Sequence, residues 1–234
     1  MAELRPGTVV YGSNERDVYE VVRFVGAGSF GRVYEVRSRA NGTSFALKTI
    51  EDTSFLDGDE RRALFNEGQL ALEINHPNVV RIFSFHNGQQ YGGLPPYTMM
   101  EFVGGGNLDD VLKARKTHGF FSPEQMVDIF HQLASGMKAI NARLVHRDIK
   151  PDNILVQNGI YKIADFGLSK IVGAATRSQS QTFKGMNHIM YIAPEAMRLE
   201  ENLPLMDMYS MGIVFFQIAT LDFPYRVKSG MDVF

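Results

Sequence analysis

Two carboxylates, a lysine and a carboxamide fall within the eight residues His146-Arg147-Asp148-Ile149-Lys150-Pro151-Asp152-Asn153. Phosphoryl transfer asks for this mixture: an acceptor for a hydroxyl proton, a cation against developing charge, and hard oxygen ligands for Mg²⁺. Asp165-Phe166-Gly167 adds another carboxylate, next to a glycine that lets the chain turn sharply. Read as a solvated charge run, the set would have no reason to keep this order.

Upstream, Gly26-Ala27-Gly28-Ser29-Phe30-Gly31-Arg32-Val33 spaces its glycines so that backbone N–H groups can approach phosphate oxygens without a Cβ in the way. Dinucleotide-binding folds share that spacing, but there the glycines open a helix, whereas here a strand pattern follows. A plain glycine-rich hairpin remains the simpler alternative. Phe45-Ala46-Leu47-Lys48 sets a lysine midway along an apolar strand, which is costly unless the charge is paired. Glu67 is an available partner on the next helical segment, and an edge lysine facing solvent is the alternative.

These groups need elements to hold them. Over the first hundred residues the pattern is mainly of strands: 21–25 and 33–37 beside the glycines, 44–50 after the Asn41-Gly42 turn signal, then 79–85 and 97–103. Between them 59–74 has helical spacing, with Leu64, Leu70 and Ile74 as apolar positions. Gly104-Gly105-Gly106 marks a flexible joint, and the remainder is mostly helical. Ser122-Pro123-Glu124-Gln125 combines an N-cap serine, a first-turn proline and a capping-box glutamine. Met126, Ile129, Phe130, Leu133, Met137 and Ile140 then keep one helical stripe. Asn158-Gly159 reads as a tight hairpin turn.

The 234 residues carry a formal net charge of −2, which gives no basic field for nucleic acid and no polybasic membrane patch. There is no cysteine, so disulfides, thiolate catalysis and cysteine-ligated metal are excluded, and a reducing, cytoplasmic setting fits. The N-terminus lacks the apolar core of a signal peptide. The most apolar stretch, 211–223, is too short to span a bilayer and is interrupted by Gln217, Thr220 and Asp222.

Taken in order, from about Tyr19 to Tyr225, these motifs resemble the eukaryotic-type protein kinase family. Ala193-Pro194-Glu195 matches the close of its activation segment, and Asp207-Met208-Tyr209-Ser210-Met211-Gly212 the start of its central buried helix. Lys150, two residues after Asp148, is similar to the serine/threonine branch. The resemblance implies a bilobal α+β fold: an N-terminal extension over 1–18, a small β-rich lobe over 19–103 and a larger, mainly helical lobe over 104–234. It further implies ATP and Mg²⁺ as cofactors and protein substrates as partners. Val25, Gly26, Ala27, Gly28, Ser29, Phe30, Gly31 and Val33 would then cover the nucleotide, while Lys48, paired with Glu67, grips its phosphates. Ala46, Val33 and Leu155 would sandwich adenine, with Met100 as gatekeeper and Glu101, Phe102 and Val103 as the hinge. Asp148 would orient the acceptor hydroxyl with Lys150 near the γ-phosphate, and Asn153 and Asp165 would hold Mg²⁺. Arg147 would bind a phosphate on the activation segment, at Thr182 or Ser180.

The sequence also departs from the family pattern. Asn187-His188-Ile189 stands where members usually read Gly-Thr-Pro, and Ala71 where a larger apolar side chain is usual. The family's second lobe normally continues for several helices after the segment Leu221-Asp222-Phe223-Pro224-Tyr225, so a truncated lobe is expected, with an apolar patch left open around Phe215, Phe216 and Ile218. Two competing readings are a nucleotide-binding scaffold without turnover and a small-molecule phosphotransferase. The four residues Lys48, Asp148, Asn153 and Asp165 speak against the first, and the Ala-Pro-Glu motif against the second.

Overall fold

Alternating apolar positions make the early part of the chain a sheet. The computed structural model describes residues 3–28, 31–49, 68–86, 94–165, 190–197 and 204–225. Its strands are β1 (Val9–Tyr11), β2 (Val18–Gly28), β3 (Gly31–Ser38), β4 (Ser44–Thr49), β5 (Ile82–His86) and β6 (Tyr97–Glu101). They pair antiparallel in the order β1-β2-β3-β4-β6-β5. Among the described residues of the expected helix over 59–74, 68–72 are helical, and Glu67 lies outside them.

One face of this sheet is a core of Leu4, Val10, Val21, Tyr34, Val36, Leu47, Tyr97 and Met99. Two of its members come from the first eighteen residues. β1 pairs with β2 through Val9↔Glu20, Val10↔Tyr19 and Tyr11↔Val18. The Tyr97 hydroxyl donates to the Tyr11 carbonyl at 2.8 Å and accepts from the Tyr11 N–H at 3.2 Å. The expected extension is therefore built into the sheet as edge strand and cover. Three strand residues are too few to leave a period in the sequence.

The described residues form two compact units: one holds those up to His76 with Val80–Val103, the other Pro77–Val79 with those from Gly104 onward. The strand expected over 79–85 starts later for this reason. Asn78 accepts the Ile163 N–H on its carbonyl at 2.9 Å, and Val79 bridges Ile163, both in the second unit.

In that unit α1 (Leu108–His118) begins at Asn107 and α2 (Pro123–Asn141) at Ser122, each with a capping box closed by Asp110 and Gln125 respectively. Ile129, Leu133, Met137 and Ile140 bury the expected stripe of α2. β7 (Ile154–Gln157) and β8 (Ile160–Ile163) form a hairpin whose turn residues Asn158 and Gly159 have φ of 53° and 78°, the left-handed pair that such a turn requires. The glycine triplet is fastened rather than loose. Gly106 accepts the Val156 N–H at 3.0 Å, and a Cβ on Gly105 would meet the Val156 carbonyl at 2.1 Å.

α3 (Pro194–Met197) and α4 (Pro204–Thr220) complete the described helices. The expected open patch on α4 is corrected in part. Ile218 is wholly buried and Phe215 stacks on Phe130 at 4.4 Å, so of the three only Phe216 is exposed, with Leu205 and Met208 further along. No described helix is long and apolar enough to cross a membrane.

Candidate active site

The residues that could do chemistry in the second unit converge on one carboxylate. Asp148 is buried, and its Oδ2 accepts from Lys150 Nζ at 3.1 Å and from Asn153 Nδ2 at 2.8 Å. Asn153 Nδ2 also donates to the Asp148 carbonyl at 2.8 Å. With both amide hydrogens turned to Asp148, the end of Asn153 presented elsewhere is its acceptor, Oδ1. A 3₁₀ turn over Pro151–Asn153 makes this reach possible. The Ala164 N–H donates to the Asn153 carbonyl at 2.8 Å and so brings the chain beside Asn153 just before Asp165. Asp165 itself sits at φ 64°, a left-handed conformation that costs a non-glycine residue about 1–3 kcal/mol.

Arg147 is held in the same region, at φ 67°. The restraint is Asp207 on α4, which has no exposed surface. Its Oδ1 accepts the Arg147 N–H, and its Oδ2 accepts the His146 N–H and Asn141 Nδ2, each at 2.7 Å. Short charge-assisted bonds of this kind are about twice as strong as neutral ones, and three of them offset the strain at Arg147. His146 adds a strut. Its Nδ1 accepts the Asp148 N–H at 3.2 Å while its Nε2 lies 2.9 Å from the Ala164 carbonyl, so the Nε2–H tautomer ties Asp148 to the segment before Asp165.

In the first unit the positions are set by register. One row across the sheet runs Gly26↔Val33↔Lys48↔Thr98, and the next on the same face runs Arg23↔Glu35↔Ala46↔Met100. Directly opposed residues share a face, so Val33 and Lys48 stand together, with Ala46 and Met100 alongside. Lys48 and Met100 are buried, whereas Val25, the residue skipped by the register shift between Phe24 and Gly26 of β2, is exposed. Ala27↔Arg32 and Gly28↔Gly31 close the glycine hairpin, and Ser29 and Phe30 at its tip lie outside the described residues. Glu101 is tied to Arg81, whose carbonyl accepts its N–H at 2.8 Å. Phe102 and Val103 follow it in the first unit, while Leu155 is on β7 in the second.

The close of the expected activation segment is fastened to α4. Ser210 Oγ donates to the Tyr191 carbonyl at 2.7 Å, the Tyr191 hydroxyl donates to Gln217 Oε1 at 2.7 Å, and the Tyr225 hydroxyl donates to the Met190 carbonyl. Burial pushes the Tyr191 phenol well above its ordinary value. Ser180 and Thr182 lie outside the described residues.

Sequence reasoning passed over Asp207, Asn141 and His146 as supports. A signal did exist for the first: Asp207 is the sole charge within Pro204–Thr220, and a lone carboxylate in a buried helix must have partners. Among the described residues no three His, Cys, Asp or Glu gather as a metal cage. The hard oxygen donors that are present, the Asp165 carboxylate and Asn153 Oδ1, suit Mg²⁺, which is usually bound through one or two carboxylates with substrate phosphates and water.

Comparison with known proteins agrees with this geometry. The family model of the protein kinase domain matches residues 19–234. The probable serine/threonine-protein kinase MARK-C of Dictyostelium discoideum is 30% identical over 218 residues, 92% of this chain and 27% of that protein. The serine/threonine-protein kinase PknA of Mycobacterium tuberculosis is 31% identical over 218 residues, 92% of this chain and 49% of its own length. The serine/threonine-protein kinase RAD53 of Saccharomyces cerevisiae is 31% identical over 227 residues, 90% of this chain and 26% of that protein. The chain thus spans about a quarter to a half of the length of these curated relatives.

Proposed function

The chain belongs to the protein kinase domain family, in its serine/threonine branch, and from that premise we propose that it transfers the γ-phosphate of ATP to serine and threonine hydroxyls of proteins. The observation that carries this reading is the immobilised Asp148, with Lys150 Nζ and Asn153 Nδ2 both on its Oδ2. A carboxylate fixed in this way can take the proton of an incoming hydroxyl without reorganising, and the neighbouring ammonium adds positive charge where negative charge develops. Asn153 Oδ1 and Asp165 are the groups that would hold Mg²⁺, which when bound neutralises phosphate charge. Lys48 and the backbone amides of 26–31 would orient the phosphates, and Ala46, Val33, Leu155, Met100 and residues 101–103 the adenine. The lobes are read as 19–103 and 104 onward.

Regulation by phosphate on Thr182 or Ser180, read by Arg147, belongs to the same proposal. A phosphate there adds about −1.5 to −2 charges that an arginine can bind, and phosphopeptide mass spectrometry of active protein tests it. A cytoplasmic setting is supported by the cysteine-free sequence.

Transfer of radiolabelled phosphate from ATP to a protein acceptor is the direct test, with Asp165→Ala as the blank. Asp148→Asn should lower turnover about 10²–10⁴-fold, and Lys48→Met should leave the fold intact with transfer largely lost. Near-normal turnover in Lys48→Met would refute that residue's role. Nucleotide binding without transfer would favour the scaffold reading.

A further inference from the structure

Between its two register shifts, at Val21/Arg23 and Phe24/Gly26, β2 keeps a regular pairing for only Arg23↔Glu35 and Phe24↔Tyr34. A strand interrupted twice within so few residues has a weakly specified register unless something pins it. The side chains supply the pin. Arg23 Nε donates to Glu35 Oε2 at 2.8 Å, and Ser44 Oγ from β4 donates to Glu35 Oε1 at 2.9 Å, so one buried carboxylate links three adjacent strands. Phe24 and Tyr34 add an edge-to-face contact at 5.7 Å on the opposite face. The Arg23 guanidinium also lies 6.0 Å from the centroid of the Phe102 ring, in the segment that follows β6.

Location gives the pin its meaning. Arg23 and Glu35 occupy the same row as Ala46 and Met100, and the glycine turn begins at Gly26, just past the second shift. Whatever fixes Arg23 therefore fixes the base of the glycine-rich hairpin against the row of Ala46 and Met100. We infer that Arg23, Glu35 and Ser44 form a clamp whose task is to position the glycine-rich turn for nucleotide. They are positioning residues, set apart from the phosphate-binding amides themselves. The inference rests on the kinase reading for its ligand, while the clamp itself is a property of the first unit alone.

Two measurements on the intact protein test it: affinity for a fluorescent ATP analogue, and hydrogen exchange of the amides over 24–33. Arg23→Ala and Glu35→Gln should each raise the dissociation constant about threefold to fivefold, the upper range for a half-exposed ion pair. Each should also speed exchange over 24–33, with the exchange of α2 unchanged. Reversing the pair, Arg23→Glu with Glu35→Arg, should recover part of both quantities, since the ion pair returns but the Ser44 bond to the carboxylate does not. Unaltered exchange in the single variants overturns the clamp, as does a reversed pair no better than the singles. Should the unaltered protein fail to bind the analogue, the kinase reading falls, and the exchange data still decide the clamp.

Discussion

The two regions that carry the candidate chemistry are held in opposite ways. On the sheet, Lys48, Val33, Ala46 and Met100 are placed by many backbone pairs repeated along five adjoining strands, so no single side chain sets their positions. In the loop after α2, the backbone leading into Asp148, at His146 and Arg147, hangs on one buried carboxylate, Asp207, while Asp148 and Asn153 are held by a few side-chain bonds and one 3₁₀ turn. A ladder shares its load; a single anchor concentrates it. The site in the second unit should therefore be brittle to one substitution, and the sheet tolerant of most.

The sharpest way to break that contrast is Asp207→Ala. It takes the acceptor from the buried His146 N–H and the half-buried Arg147 N–H, leaves Asn141 Nδ2 only the Leu144 carbonyl, and releases the left-handed Arg147. The expected loss is about 3–5 kcal/mol, together with a fall in turnover at temperatures where the variant is still folded. Denaturant melts with parallel transfer assays measure both; a loss below about 1 kcal/mol would mean that the anchor is shared after all.

A milder probe is Leu4→Ala, on the cover of the sheet. Removing a buried leucine side chain should cost about 2–3 kcal/mol, yet turnover per folded molecule should stay as it was, since the ladder keeps Lys48 and Ala46 in register. A drop in activity beyond the unfolded fraction would show that the cover, too, positions the site.

The smallest effect is expected at Tyr191→Phe. At neutral pH it removes one hydrogen bond, worth about 1 kcal/mol. The native phenol is raised above its unfolded value of about 10, so it contributes stability that is whole below that pH and is lost as pH climbs through the native value. The stability gap between the two proteins should then narrow from about pH 8 to about pH 11. Unfolding curves across that range test this, and a constant gap would mean that Tyr191 does not titrate against burial.

Local chemistry made much of this molecule legible in the sequence. The capping box at Ser122 and the turn at Asn158-Gly159 depend on residues within four positions of one another, and they appear where the sequence puts them. The phosphoryl-transfer set is legible for the same reason, because Asp148, Lys150 and Asn153 are close in the chain. What tertiary structure alone decided lies between residues far apart. Asp207 meets Arg147 across sixty residues and Tyr97 meets Tyr11 across eighty-six. Val10 became core, and Ile218 was covered, through neighbours that no local period could announce. A short-range pattern records which backbone conformation is cheap, whereas the partner of a buried polar group is whichever distant segment the packing brings within 3 Å of it.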